Sequence, residues 1–67
     1  MHEGLILAVH ERGFGFIGEP NKPDIFFHCS ELSDDLPFDQ QLVGRRVLFS
    51  VCETIKGRSA QDICAAE

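Results

Sequence analysis

Apolar residues fall in short runs of strand length along this chain, several of them alternating with polar or outward residues, and no convincing amphipathic helix is present. Gly4 to His10 is a run rich in Leu, Ile and Val, too short for an ordinary helix and of the right length for a strand. Glu11-Arg12-Gly13 predicts a tight turn, and Phe14 to Glu19 a second strand with Phe14 and Phe16 on one face and Gly15 and Ile17 on the other. Pro20-Asn21-Lys22-Pro23 breaks that strand, because proline cannot donate to a central ladder. Asp24 to Cys29 is a third strand, with Ile25 and Phe27 opposite in direction to Phe26 and His28. Ser30-Glu31-Leu32 predicts a single helical turn capped by Ser30, followed by a polar loop from Ser33 to Gly44 that holds Pro37 and Phe38.

Arg46 to Glu53 alternates well: Val47, Phe49 and Val51 face one way, Leu48, Ser50 and Cys52 the other. Lys56-Gly57-Arg58 is a turn, and Ser59 to Cys64 a closing strand. Its inward candidates, Ala60 and Ile63, lie three apart, which predicts a bulge or a sharp coil. Five short antiparallel strands imply an all-β fold, a small five-stranded barrel whose closure removes the unpaired edges of an open sheet.

The direction of the aromatics turns this fold into a functional expectation. If Ile17, Ile25, Phe27, Val47, Phe49, Val51 and Ile63 fill the barrel, then Phe14, Phe16, Phe26 and His28 lie together on its outside. Leaving three such rings in water forgoes burial worth roughly 25 cal/mol per Å² and marks a binding surface. Bases are flat partners for rings, each stacked base being worth about 1–3 kcal/mol. Arg12, Lys56 and Arg58 occupy turns placed to meet phosphates, and His10 ends the first strand beside the same face. Gly13 and Gly15 beside the rings imply a bend or a close approach of something to the backbone.

Charge qualifies that expectation. A net charge of −5 has the wrong sign for long-range attraction to phosphate, so stacking has to supply most of the affinity. At 67 residues there is room for one domain spanning the chain, without a deep catalytic cavity. Met1-His2-Glu3 lacks a basic leader, no apolar run approaches the roughly 18 residues of a spanning helix, and three cysteines without C-x-x-C spacing fit reduced thiols, all pointing to the cytoplasm.

The motifs resemble those of the cold-shock domain. Arg12-Gly13-Phe14-Gly15-Phe16-Ile17 is similar to that family's first nucleic-acid-binding motif (RNP1), and Asp24-Ile25-Phe26-Phe27-His28-Cys29-Ser30 to its second (RNP2). The resemblance extends through Gly4, the Leu42-x-Gly44-x-x-Val47-x-Phe49 segment and Lys56-Gly57-Arg58-Ser59-Ala60, which is similar to the family's K-G-P-Q-A turn. An RRM places RNP2 before RNP1 and needs two helices, so that family is excluded by the order of the motifs. The resemblance implies an OB-type barrel that binds single-stranded RNA or DNA with little sequence preference, as an RNA chaperone or a regulator of transcription or translation, in a bacterium. It puts Phe14, Phe16, Phe26 and His28 at stacking positions, Arg12 at the basic position ahead of RNP1, and Phe38 at a flanking loop aromatic.

Two departures imply weaker binding. Leu7-Ala8-Val9 stands where the family has K-W-F, so a stacking Trp is missing, and Cys29 replaces a Phe after the RNP2 histidine. His10 is the residue placed to supply part of what the Trp would. The expectation is therefore a monomeric, non-enzymatic binding domain with single-stranded RNA or DNA as partner and no cofactor, metal, small-molecule substrate or membrane. His28 and Cys29 do not form a nucleophile–base pair, since neighbours on a strand point to opposite faces. The rival is a barrel using the same patch for a protein partner or for self-association.

Overall fold

The computed structural model describes residues 1–55 and 57–66. Its strands are β1 (His2–His10), β2 (Phe14–Gly18), β3 (Ile25–His28), β4 (Arg46–Thr54) and β5 (Gly57–Ala65), closed into a barrel in the order β1-β2-β3-β5-β4. All-β architecture and closure are as the alternation predicts. One correction concerns direction: β3 and β5 pair parallel, through Phe26 with Ser59 and Phe27 with Ala60, while the other pairings are antiparallel. Closure forces this. Bringing the last strand back against the third, across the Ser33–Gly44 connection, leaves them running the same way.

The core is set by strand alternation. Ile17, Ile25, Phe27, Val47, Phe49 and Ile63 are all buried, and Val51 packs against them half-buried. The expected bulge is present in β5: Leu48 pairs with Cys64 and Ser50 with Gln61, so Asp62 and Ile63 together oppose Phe49. Asp62 takes the left-handed conformation, φ +53°, that lets the strand put both Ala60 and Ile63 inside.

A second bulge was not legible in the continuous apolar run of β1. Ile6 pairs with Ile17 but Ala8 with Phe16, so Leu7 is the extra residue. Leu7 and Ala8 both point outward as a result, and the phase is reset so that Ile6 is buried and Val9 packs on the core.

The Ser33–Gly44 connection is less polar than its composition suggests. Leu36 and Leu42 are buried members of the core, Leu42 ending a short 3₁₀ turn (Gln40–Leu42) capped by the Asp39 carboxylate. The other 3₁₀ turn begins one residue earlier than expected, at Cys29, and its cap is the His28 side chain, not Ser30. No helix among the described residues is long and apolar enough to cross a membrane.

Candidate nucleic-acid interface

The outward face of β1, β2 and β3 is organised by register. His10 sits opposite Phe14, Phe14 opposite His28, and Phe16 opposite Phe26, so the outward residues of three adjacent strands become neighbours. Phe14 is the hub. His10 stacks on it with ring centroids 4.6 Å apart and planes within 10°. Phe26 lies at 5.6 Å and 27° on Phe14, and Phe16 contacts Phe14 and Phe26 edge-to-face, each at 6.1 Å. Mutual packing leaves Phe14 half-buried, while Phe16 and Phe26 remain 38% and 40% exposed.

Local chemistry explains how the β1–β2 turn holds these rings. Gly13, at φ +97°, ends a three-residue hairpin loop in a conformation that side chains resist, and its N–H donates to the His10 carbonyl at 3.0 Å. The Arg12 N–H donates to His10 Nδ1 at 3.2 Å, and the Ser30 N–H to His28 Nδ1 at 3.1 Å. A main-chain N–H can only donate, so each Nδ1 accepts and each ring holds its proton on Nε2. Both histidines thus present an N–H donor from that nitrogen.

Gly15 has a different reason from the one its motif suggests. Its position points inward, where a Cβ would press on the Ala8 carbonyl and stand 2.7 Å from two ring carbons of Phe27. The close approach at the Phe-Gly-Phe motif is therefore made by the core beneath it.

The basic residues divide. Arg12 is exposed at the tip of the β1–β2 turn, two residues after His10, whose Nδ1 accepts its main-chain N–H. Arg58 is a strand residue, on β5, and lines a groove with Phe26, Thr54, Ile55 and Ser59. Lys56 lies outside the described residues. Phe38 is not brought into the ring cluster: it packs half-buried against the core, edge-to-face with Phe27 at 6.4 Å. The loop that carries it is pinned by Leu36 and Leu42, which directs the ring to the barrel wall.

Ile55 was missed. It is fully exposed in the β4–β5 turn, across the groove from Phe26 and Arg58. An isolated apolar residue between turn signals gives no period to read, so only closure of β5 against β3 reveals its neighbours. Cys29 is likewise placed by tertiary contact. Its N–H donates to the Gly13 carbonyl at 2.8 Å, and a Cβ on Gly13 would stand 3.3 Å from its sulfur, so it tucks under the hairpin turn.

With this geometry in hand, the relatives are informative. The 'Cold-shock' DNA-binding domain family matches residues 2–66, almost the whole chain. The chain belongs to the cold-shock domain family. That family is one of nucleic-acid-binding domains, with an OB-type barrel. The Major cold shock protein CspA of Bacillus cereus is 35% identical over 54 residues, covering 81% of this chain and 79% of that protein, and its namesake in Bacillus anthracis matches equally. Among solved structures, that of Drosophila Unr CSD456 has a TM-score of 0.78 at 25% identity over 97% of this chain. This chain spans only 26% of that one, about a quarter of its length. On this chain's outer face, Phe14, Phe16 and Phe26 of β2 and β3 form one ring cluster, which His10 joins from β1.

Proposed function

We propose that this cold-shock domain binds single-stranded RNA or DNA by stacking bases on Phe14, Phe16, Phe26 and His28, with His10 extending the platform from β1. The observation that carries the reading is the contiguous ring cluster, in which Phe16 and Phe26 remain 38% and 40% exposed. Arg12 and Arg58 lie at two margins of that cluster and meet phosphates there, and Lys56, two residues before Arg58 in sequence, adds a third cation to the same role. Phe38 supports the site from below, through Phe27. Low sequence preference follows, because every base has a face to stack and the platform offers few fixed hydrogen-bonding groups. Many weak contacts of this kind suit an RNA chaperone or a regulator of transcription or translation acting in the cytoplasm, as a monomer.

The test is a titration with a pyrimidine heptamer over a range of salt concentrations. Neutralising roughly two or three phosphates gives a log–log slope of about −1.4 to −2.1, shallow because stacking outweighs charge on this acidic chain. Absence of binding at low salt sinks the proposal. Ile55 supplies a second measurement: Ile55→Asp puts a carboxylate opposite Phe26 and is expected to weaken the heptamer roughly three- to tenfold without lowering the melting temperature, since the side chain is fully exposed.

A further inference from the structure

A second surface begins where the ring cluster ends. Beyond Phe16, the outward positions of β1 and β2 form a groove lined by Leu5, Leu7, Gly18 and Pro20 and bordered by Glu3, Glu19, Asp24 and Arg46. Leu5 and Leu7 are 45% and 46% exposed. Leu7 is the bulged residue, and it lies over Gly18, where a Cβ would come within 2.7 Å of its side chain. The bulge thus holds an aliphatic wall out in water, next to another one.

Electrostatics narrows the occupant. Three carboxylates border the groove, of which Glu3 pairs with Arg46 at 3.3 Å and Glu19 with Lys22 at 3.8 Å, which leaves the charge of Asp24 unmatched. Asp24 has no ion-pair partner among the described residues. The Glu19 side chain is only 8% exposed; its Oε2 is held by His2 at 3.0 Å and Lys22 at 3.8 Å, while Oε1 has no hydrogen-bond partner among the described residues. A phosphate backbone entering this groove meets repulsion. A second copy would set the same carboxylates against one another on a chain of net charge −5. The complementary ligand is cationic at some positions and aliphatic at others.

We infer that the Leu5–Leu7 groove docks a short segment of a protein partner in which arginine or lysine alternates with aliphatic residues. In an extended segment, alternate side chains reach opposite borders, aliphatic groups on Leu5 and Leu7 and a cation at Asp24, the exposed carboxylate with no ion-pair partner among the described residues. The surface is separate from the ring cluster, so one domain is able to hold a nucleic acid and a basic partner together.

The probe is a capped heptapeptide of alternating arginine and leucine, titrated into the isotope-labelled full chain and followed by amide shifts. Saturable changes centred on Leu5, Leu7, Gly18, Glu19 and Asp24 are expected, with Leu7→Ser weakening the peptide about fivefold through lost apolar contact. Asp24→Asn weakens it about threefold, less so at high salt. Both positions are exposed, and unchanged heptamer affinity in the same variants shows that the barrel and ring cluster are intact. The inference is overturned if an arginine–serine peptide binds equally well, or if the shifts centre on Phe14 and Phe16. It is overturned too if the variants bind as tightly as the parent, if the groove amides shift with protein concentration alone, or if the oligonucleotide shifts them as strongly as it shifts Phe16. Failure of the oligonucleotide arm alone counts against the nucleic-acid proposal and leaves the groove intact.

Discussion

Replacing Phe16 by alanine is expected to weaken binding of a pyrimidine heptamer by about 1–3 kcal/mol, the worth of one stacked base. The effect is large because Phe16 has two tasks. Its own face is exposed at 38%, and its edges abut both Phe14 and Phe26 at 6.1 Å, so removing it also frees those rings to tilt. Its cross-strand neighbour on β1 is Ala8, too small to fill the gap. Stability should change much less, because the lost contacts are partly solvent-exposed and none belongs to the core. Anisotropy of a labelled heptamer gives the first quantity and a thermal melt the second. An unchanged heptamer affinity would argue against stacking at this ring. Sedimentation showing a dimer that Phe16→Ala dissociates would transfer the patch to self-association.

Gly15→Ala probes the opposite side of the same motif and should act on folding instead. Its methyl group is driven at the Phe27 ring, which is completely buried, and at the backbone carbonyl of Ala8, neither of which can swing away into solvent. Overpacking of this kind costs about 1–3 kcal/mol, partly offset by alanine's smaller loss of backbone freedom. For a domain with roughly 3–10 kcal/mol of total stability, that is a large share. The melting temperature is expected to fall by about 5–20 °C. A smaller ring partner should relieve it: in a Phe27→Leu background the same glycine substitution ought to cost less, a coupling of about 0.5–3 kcal/mol between the two positions. Additive losses would show that the added methyl meets something other than Phe27.

Much of the barrel was legible because the period-2 pattern is a local property of the chain. Each strand's buried set follows from which residues are two apart: Ile25 with Phe27, Val47 with Phe49. The outward direction of Phe14, Phe16 and Phe26 then follows by exclusion. Even the β5 bulge could be anticipated, since Ala60 and Ile63 are both apolar and out of phase. In β1 the pattern gave no such purchase. Five consecutive apolar residues, Leu5 to Val9, are compatible with either face, and the choice falls to packing against Ile17 and the β4 strand.

The two aromatic strands with which the functional reading begins were determined by sequence alone, down to the side on which each ring stands. What only the tertiary structure decided is everything that depends on which distant segments become neighbours. It set His10 face-on to Phe14, turned Phe38 onto Phe27, and brought Ile55 and Arg58 across a groove from Phe26. It also showed that the glycine within Phe-Gly-Phe makes room for the core. The physical reason is the same in each case. Alternation is imposed by the geometry of one strand, whereas a ring's neighbours are chosen by barrel closure, where bulges in β1 and β5 and the parallel meeting of β3 with β5 set the register.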